Sequence, residues 1–162
     1  REKEQALAEI RELVAKRDKA EQAKQQLDKF QVVRSRFYMQ ERRYLGEQPI
    51  IELTVKNGTD QAISRAYFSG TIASPDRSVP WHEGQFNYSI SGGLEPGEEA
   101  TWTLAPNSYS DWGKVDAPAD AVFTVMVEQL DGPDGEALYS TRGFSERDRK
   151  RLTELKKQYG VD

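Results

Sequence analysis

The chain has 162 residues, of which 36% are hydrophobic and 31% are charged, with a formal net charge of -4 and no cysteine. The absence of cysteine excludes disulfides, thiol nucleophiles and cysteine-ligated metal sites, and no run approaches the roughly 18 consecutive apolar residues of a transmembrane helix. Residues 30–144 carry a net charge of -7, whereas residues 1–29 and 145–162 carry +1 and +2. So acidic a body argues against nucleic acid as a partner.

Residues 1–29 consist of strong helix formers without glycine or proline, which predicts one long helix. Small and apolar residues recur every seven positions from Ala6 to Leu27, but the second seam that a coiled coil needs is interrupted at Arg17 and Lys24. We therefore expect a solvated spacer or stalk. Self-association of the protein, if it occurs, is expected through this helix.

The stretch 50–74 holds two runs in which apolar and polar residues alternate, the pattern of strands with one buried face. Asn57-Gly58 between them predicts the turn that pairs the two strands, because both residues tolerate positive φ. Residues 41–47 are expected to form a polar connection, and 105–119 a long loop. The other strands are predicted at 30–39, 86–90, 100–104, 122–130 and 138–139.

The run 122–130 is apolar on both faces, which predicts a central strand covered on both sides, by the opposite sheet and by a terminal helix. The C-terminal helix is predicted to begin at Ser145, a good N-cap with Asp148 three residues on. It should end at Gly160. Its narrow apolar stripe is expected to dock on the β domain.

Short strands separated by turn residues, with no helix between them, predict a seven-stranded antiparallel immunoglobulin-like β-sandwich over residues 30–144. A long N-terminal helix (1–29) precedes it, and a short C-terminal helix (145–162) is expected to pack on it. A closed barrel is the alternative topology. The side chains expected between the two layers are Leu53, Phe68, Trp102 and Val125.

Several strand and turn sequences resemble a known kind of module. The runs IELTVKNGTDQAISRAYFSGTIAS and GLEPGEEATWTL resemble small extracytoplasmic immunoglobulin-like modules of bacterial envelope proteins and lipoproteins. SDWGKVDAP and VEQLDGPDGEALYS are similar to the rest of an uncharacterised bacterial family of this kind, so the resemblance covers residues 30–144. It implies export to the periplasm or outer surface, with a signal peptide or a lipid-bearing cysteine upstream of Arg1. It supplies no catalytic residues.

His82 is the single histidine of the chain. A Ser–His–Asp triad would have to use it, with Ser78 as a conceivable nucleophile, but no nucleophile-elbow sequence is present. Metal binding through His82, Glu83 and Asp76 lacks any recognised ligand spacing. We therefore predict no enzymatic activity, no metal and no cofactor.

Three aromatic residues, Trp81, Tyr109 and Trp112, fall in long loops, where they can supply a flat contact surface for sugars or protein partners. The alternative is that they fold back as plugs over the ends of the sandwich. With His82, they are the candidate ligand-binding residues. We expect a non-enzymatic cell-envelope protein acting as an interaction, scaffold or spacer module. Small-ligand or carbohydrate binding through the loop aromatics is the alternative function.

Overall fold

The structure is a computed structural model that describes residues 1–161. Its elements in chain order are α1 (Glu2–Leu27), β1 (Phe30–Arg42), β2 (Gly46–Asn57), β3 (Ile63–Ala73), β4 (His82–Leu94), β5 (Glu99–Leu104), a 3-10 turn (Asp111–Lys114), β6 (Val122–Asp131), β7 (Ala137–Ser140) and α2 (Glu146–Tyr159). The prediction of a mainly β chain with a long N-terminal and a short C-terminal helix is confirmed. Within residues 1–161, no helix is long and apolar enough to cross a membrane.

Both sheets are antiparallel, one with three strands in the order β1-β2-β5 and one with four in the order β4-β3-β6-β7. They share one apolar core, which we call the β core. In it, Tyr88 of the four-stranded sheet stacks on Trp102 of the three-stranded sheet, with ring centroids 4.5 Å apart. Leu53, Phe68 and Trp102 are buried as predicted, and Val125 is half-buried against the same cluster.

The prediction that a turn at Asn57 and Gly58 pairs the two flanking strands is wrong, because β2 and β3 lie in different sheets. The chain crosses from one sheet to the other there, and neither residue has the positive φ expected of a tight hairpin turn. Asn57 is fully buried, and its side-chain amide donates to the carbonyls of Gln61 and Leu94, both at 2.9 Å. Gly58 is required because a Cβ there would overlap the carbonyl of Lys29. A buried hydrogen-bond network and a close approach of α1 therefore select these two residues.

β6 lies between β3 and β7, the interior position predicted for it, but one face of its first half, residues 122–126, is uncovered. Phe123, Val125 and Val127 pack toward the β core, whereas Val122 is exposed and Met126 is 62% exposed. The prediction that both faces are covered is wrong, because no terminal helix lies over Val122 and Met126 among the described residues.

The two helices form a second, smaller core, which we call the helical core. Ala6, Ile10 and Leu13 of α1 pack there with Leu152 and Leu155 of α2. The apolar stripe of α2 therefore docks on α1, and the expectation that it docks on the β domain is wrong. The stripe on α1 is formed by Ala6, Ile10 and Leu13, which lie about one and two helical turns apart and pack against α2.

α2 begins and ends where the sequence predicts. Asp148 N–H donates to Ser145 Oγ and Ser145 N–H donates to Asp148 Oδ2, both at 3.2 Å, which completes a capping box. Gly160 ends the helix in the left-handed region, with φ of 65°. Between the helices, Arg151 donates to both carboxylate oxygens of Glu9, at 2.9 and 3.2 Å. These hydrogen bonds lower the pKa of Glu9 below its ordinary value.

The C-terminal end of α1 is anchored to the β core. Leu27 and Phe30 are buried in it, and Gly58 N–H donates to the carbonyl of Lys29 at 2.8 Å. α1 also packs against β7 and β6. The predicted spacer helix therefore contributes to both cores.

Candidate functional site

The strand register gathers the predicted site residues at one end of the β domain, which we call the distal end. Arg42 pairs with Gly46 at the β1–β2 hairpin, and Ala73 pairs with Val122 where β3 ends and β6 begins. The opposite end is where α1 leads into β1 at Phe30. The loop that carries Trp81, the start of β4 at His82, and the loop that carries Tyr109 and Trp112 all belong to the distal end.

Trp112 closes the β core at the distal end. Its side chain is 6% exposed, and its ring packs against Phe37, Phe86 and Phe123 with centroid distances of 5.7 to 6.2 Å. Gly84 leaves room for it, since a Cβ there would lie 3.2 Å from the Trp112 ring. Trp112 is therefore a plug, the alternative considered for the loop aromatics, and it does not belong to a ligand-binding rim.

His82 lies against this plug, edge-on to Trp112 with ring centroids 4.3 Å apart. Its Nε2 atom is buried and has no hydrogen-bond partner in residues 1–161. Burial lowers the pKa of His82, and the charge of Asp111 partly opposes this by raising it. A general base needs its proton donor within hydrogen-bond reach, and the described residues provide none for this atom. Nor do they contain a group of three or more His, Cys, Asp or Glu that could hold a metal ion.

Trp81 is half-buried, and both its indole N–H and its ring face already have partners among neighbouring residues. Its Nε1–H donates to Ser74 Oγ at 2.8 Å, and the Arg77 guanidinium lies 3.8 Å from the ring centroid. Tyr109, by contrast, is 90% exposed. The structure thus brings Trp81, His82 and Trp112 to one end as packing, and the single rim expected of a sugar or small-ligand site is not formed.

Two more exposed apolar residues lie at the tip of the β1–β2 hairpin, which hydrogen bonds join to the loop of Tyr109. Tyr44 is 92% exposed and Leu45 is 69% exposed. We call Tyr44, Leu45 and Tyr109 the tip patch. Single exposed apolar residues are ordinary, but a group of them on adjoining loops is a feature of interaction surfaces.

Hydrogen bonds hold the two loops of the tip patch together. Arg42 Nη2 donates to the carbonyl of Leu45 and to Ser108 Oγ, both at 3.1 Å. Gln48 Nε2 donates to the carbonyl of Pro106, and Ser108 Oγ donates to Gln48 Oε1 at 3.3 Å. The hairpin and the loop after β5 are therefore fixed to one another beneath the tip patch.

Tyr44 has a left-handed backbone, with φ of 68°, the only positive φ of a non-glycine residue among the described residues. Such a conformation costs about 1–2 kcal/mol for an ordinary L-residue, and asparagine or glycine would tolerate it better. Arg43 lies over the exposed ring, with the guanidinium 5.6 Å from the centroid. Because the ring is exposed, burial of the side chain does not compensate for this strain.

Sequence reasoning missed Tyr44 and Leu45, which it placed in a polar connection. The adjacent residues Tyr44 and Leu45 could have indicated this site. Two consecutive large side chains stand at a tight turn, where glycine, asparagine and aspartate are the usual residues.

No protein-family model matches the chain, and no curated protein is similar to it in sequence. A solved structure of a hypothetical protein from Peptoclostridium difficile 630 is a distant structural neighbour of the chain. That likeness has a TM-score of 0.44 at 9% sequence identity, and it covers 81% of this chain and 98% of the other. At this distance the likeness carries no argument about family or function.

Proposed function

We propose that the protein is a non-enzymatic interaction module of the cell envelope, and that the tip patch binds a protein partner. The observation that carries the proposal is the exposure of Tyr44 and Tyr109 on two loops that hydrogen bonds fix together. Tyrosine supplies a large, rigid contact area at a low cost in conformational entropy and is enriched at binding hot spots. A protein is the expected partner because the patch stands on loop tips, whereas small-ligand sites are concave.

The energetics of the tip patch suit a specific contact. Full burial of one large apolar side chain contributes about 1.5–3 kcal/mol. Ordering the loops costs little extra on binding, because Arg42, Gln48 and Ser108 already hold them. Replacing either Tyr44 or Tyr109 with serine should therefore weaken partner binding about tenfold or more.

We also propose that the β domain is an immunoglobulin-like sandwich and that the protein is located in the cell envelope. The sandwich is supported by the core that the two sheets share. It is also supported by the strand orders, in which β4 pairs with β3 in one sheet while β5 pairs with β2 in the other. The location, with export and a possible lipid anchor, is supported by the resemblance of residues 30–144 to extracytoplasmic modules. Fractionation of cells of the source organism tests the location directly.

Site-specific photo-crosslinking tests the binding surface. A photoreactive phenylalanine analogue in place of Tyr109, in cells of the source organism, should give a discrete protein adduct. The same analogue in place of Glu136, which is exposed on the β6–β7 loop at the opposite end, is the control and should give none. The double change Tyr44→Ser with Leu45→Ser should reduce the Tyr109 adduct without lowering the Tm. Equal crosslinking from both positions, or none from Tyr109, contradicts the proposal.

A further inference from the structure

A groove of about 880 Å³ runs from the junction of α1 with β1, past the edge of β6, to Ser69 of β3 and Gln85 of β4. Leu27 and Phe30 lie along one side of it and Val125 along the other, and the exposed side chains of Val33 and Met126 stand at its lips. Its volume falls within the range of roughly 300–1,000 Å³ that is usual for ligand sites. The groove lies on the side of the β domain and contains no residue of the tip patch.

β6 presents an open edge to this groove, on the side away from β3. On that side, β7 pairs only with the part of β6 from Gln129 to Asp131, and in residues 1–161 no strand is paired with residues 124–127. β1 approaches this edge but does not extend the ladder. An open strand edge is a template for another extended chain.

The hydrogen bonds at the two ends of the open stretch show which way its backbone points. Ser35 Oγ donates to the carbonyl of Phe123 at 3.2 Å, and Thr141 N–H donates to the carbonyl of Glu128 at 3.2 Å. Because backbone groups of alternate residues point to the same side of a strand, those of Val125 and Val127 point the same way as those of Phe123. The register shift opposite Tyr67 and Phe68 inserts one residue in β6, so the carbonyl of Glu128 faces that side as well. Between these bonds the four residues 124–127 are unpaired on this side, a stretch of about 13 Å at about 3.3 Å per residue.

Glu128 adds a charge requirement at one end of the open edge. Its Oε1 atom is buried and has no hydrogen-bond partner among the described residues. Lys24 and Asp28 also line the groove, but neither forms an ion pair with Glu128. A buried carboxylate oxygen without a donor is costly, and a cationic side chain is its strongest partner.

We propose that this groove binds an extended segment of a partner protein, which adds to the β6 edge as a strand and places a lysine or arginine side chain at Glu128. The unpaired backbone of β6 favours an extended peptide, and the unpartnered carboxylate oxygen of Glu128 favours a lysine or arginine side chain. Val33 and Met126 select apolar side chains at alternate positions. The site is independent of the tip patch, so either can fail without the other.

Capped seven-residue peptides are the probes. The first alternates valine with lysine and threonine, the second has glutamate in place of each lysine, and the third is the lysine peptide with N-methyl groups on alternate residues. Titration into the full chain, followed by calorimetry and by amide NMR shifts, should show the lysine peptide binding with shifts at residues 124–128. The glutamate and N-methyl peptides should bind at least tenfold more weakly. The glutamate peptide lacks the cationic side chain, and the N-methyl peptide lacks the backbone N–H donors.

Two matched variants of the protein complete the test. Glu128→Gln should weaken binding of the lysine peptide about tenfold, whereas Glu136→Gln, which removes the same charge from an exposed loop, should leave it unchanged within twofold. The proposal is overturned if the lysine peptide fails to bind at millimolar concentration, if the N-methyl peptide binds equally well, or if Glu128→Gln has no effect. Dimerisation of the wild-type chain that Glu128→Gln abolishes would also overturn it, with a second copy as the occupant.

Discussion

The β core and the helical core stabilise the same chain in different ways. Phe68 and Ile51 are completely buried, in strands that pair with neighbours on both sides. The helical core joins only two helices, and its largest apolar residues, such as Leu152, retain slight exposure. We infer that the β core determines the global stability, whereas the helical core depends on a few side chains and can open first.

The largest expected effect comes from truncating the centre of the β core. Phe68→Ala should lower the free energy of unfolding by about 3–5 kcal/mol, through lost burial and the cavity left behind. The Tm should fall by roughly 6 to 20 °C. Thermal denaturation followed by circular dichroism measures it, with Val122→Ala on the exposed face as a control expected within about 0.5 kcal/mol of wild type. A loss below about 1 kcal/mol for Phe68→Ala would contradict the buried position of this ring.

Truncation in the helical core should have a smaller and more local effect. Leu155→Ala should cost about 2–3 kcal/mol, and the cost should fall on the docking of α2. Hydrogen exchange should then show faster exchange in α2 with unchanged protection in β2 and β3. Glu154→Ala, at an exposed position of the same helix, is the matched control. Equal loss of protection in the strands would mean that the two cores unfold as one unit.

The titration of His82 should make the stability of the distal end of the β core depend on pH. Because burial lowers its pKa in the folded state, the neutral imidazole is favoured there. The stability that depends on it is complete above about pH 6.5, the ordinary value for histidine, and is lost as the pH falls below it. Urea denaturation at pH 7.5 and 5.5 should show this loss.

The matched variant is His82→Gln, in which the loss between these two pH values should shrink. Since the chain has no other histidine, few other groups titrate in this window. The charge of Asp111 opposes the effect by raising the pKa of His82. An unchanged pH slope in His82→Gln would rule out His82 as its source.

The smallest expected effect belongs to the exposed ion pair between the helices. Arg151→Gln should weaken the docking of α2 only slightly, because exposed pairs are screened by water and salt. The lowered pKa of Glu9 means that this contribution is present above about pH 4.3 and is lost as the pH falls. Hydrogen exchange of α2 measures it, with Arg149→Gln, which breaks a pair within α2, as the control. An effect larger than that of Leu155→Ala would reverse the ranking.

The strands were predictable because burial in a sheet repeats every two residues. Ile51, Leu53 and Val55 alternate with polar neighbours, and the alternation alone places them inside. The partner of α2 was not predictable in this way. The stripe through Leu152 and Leu155 requires an apolar surface but does not specify which one, and the matching stripe on α1 is more than 130 residues away in the chain.

The candidate site shows the same limit of local reasoning. Tyr109 and Trp112 are aromatic residues of one loop, yet one is exposed and the other is buried. Trp112 can be buried because Gly70 and Gly84, on strands β3 and β4, leave space for its ring. The turn carrying Tyr44 could have been identified locally, since a large residue in a left-handed conformation conflicts with the usual turn chemistry.

The sharing of α1 between both cores has a mechanical consequence. Ala6 packs in one core and Leu27 in the other, and the helix between them is continuous. A helix of 26 residues is about 39 Å long, at about 1.5 Å per residue, and it transmits torque as well as tension. Anything fastened near Arg1 would therefore set the angle at which Tyr44 and Tyr109 face outward, as a lever does and a slack tether does not.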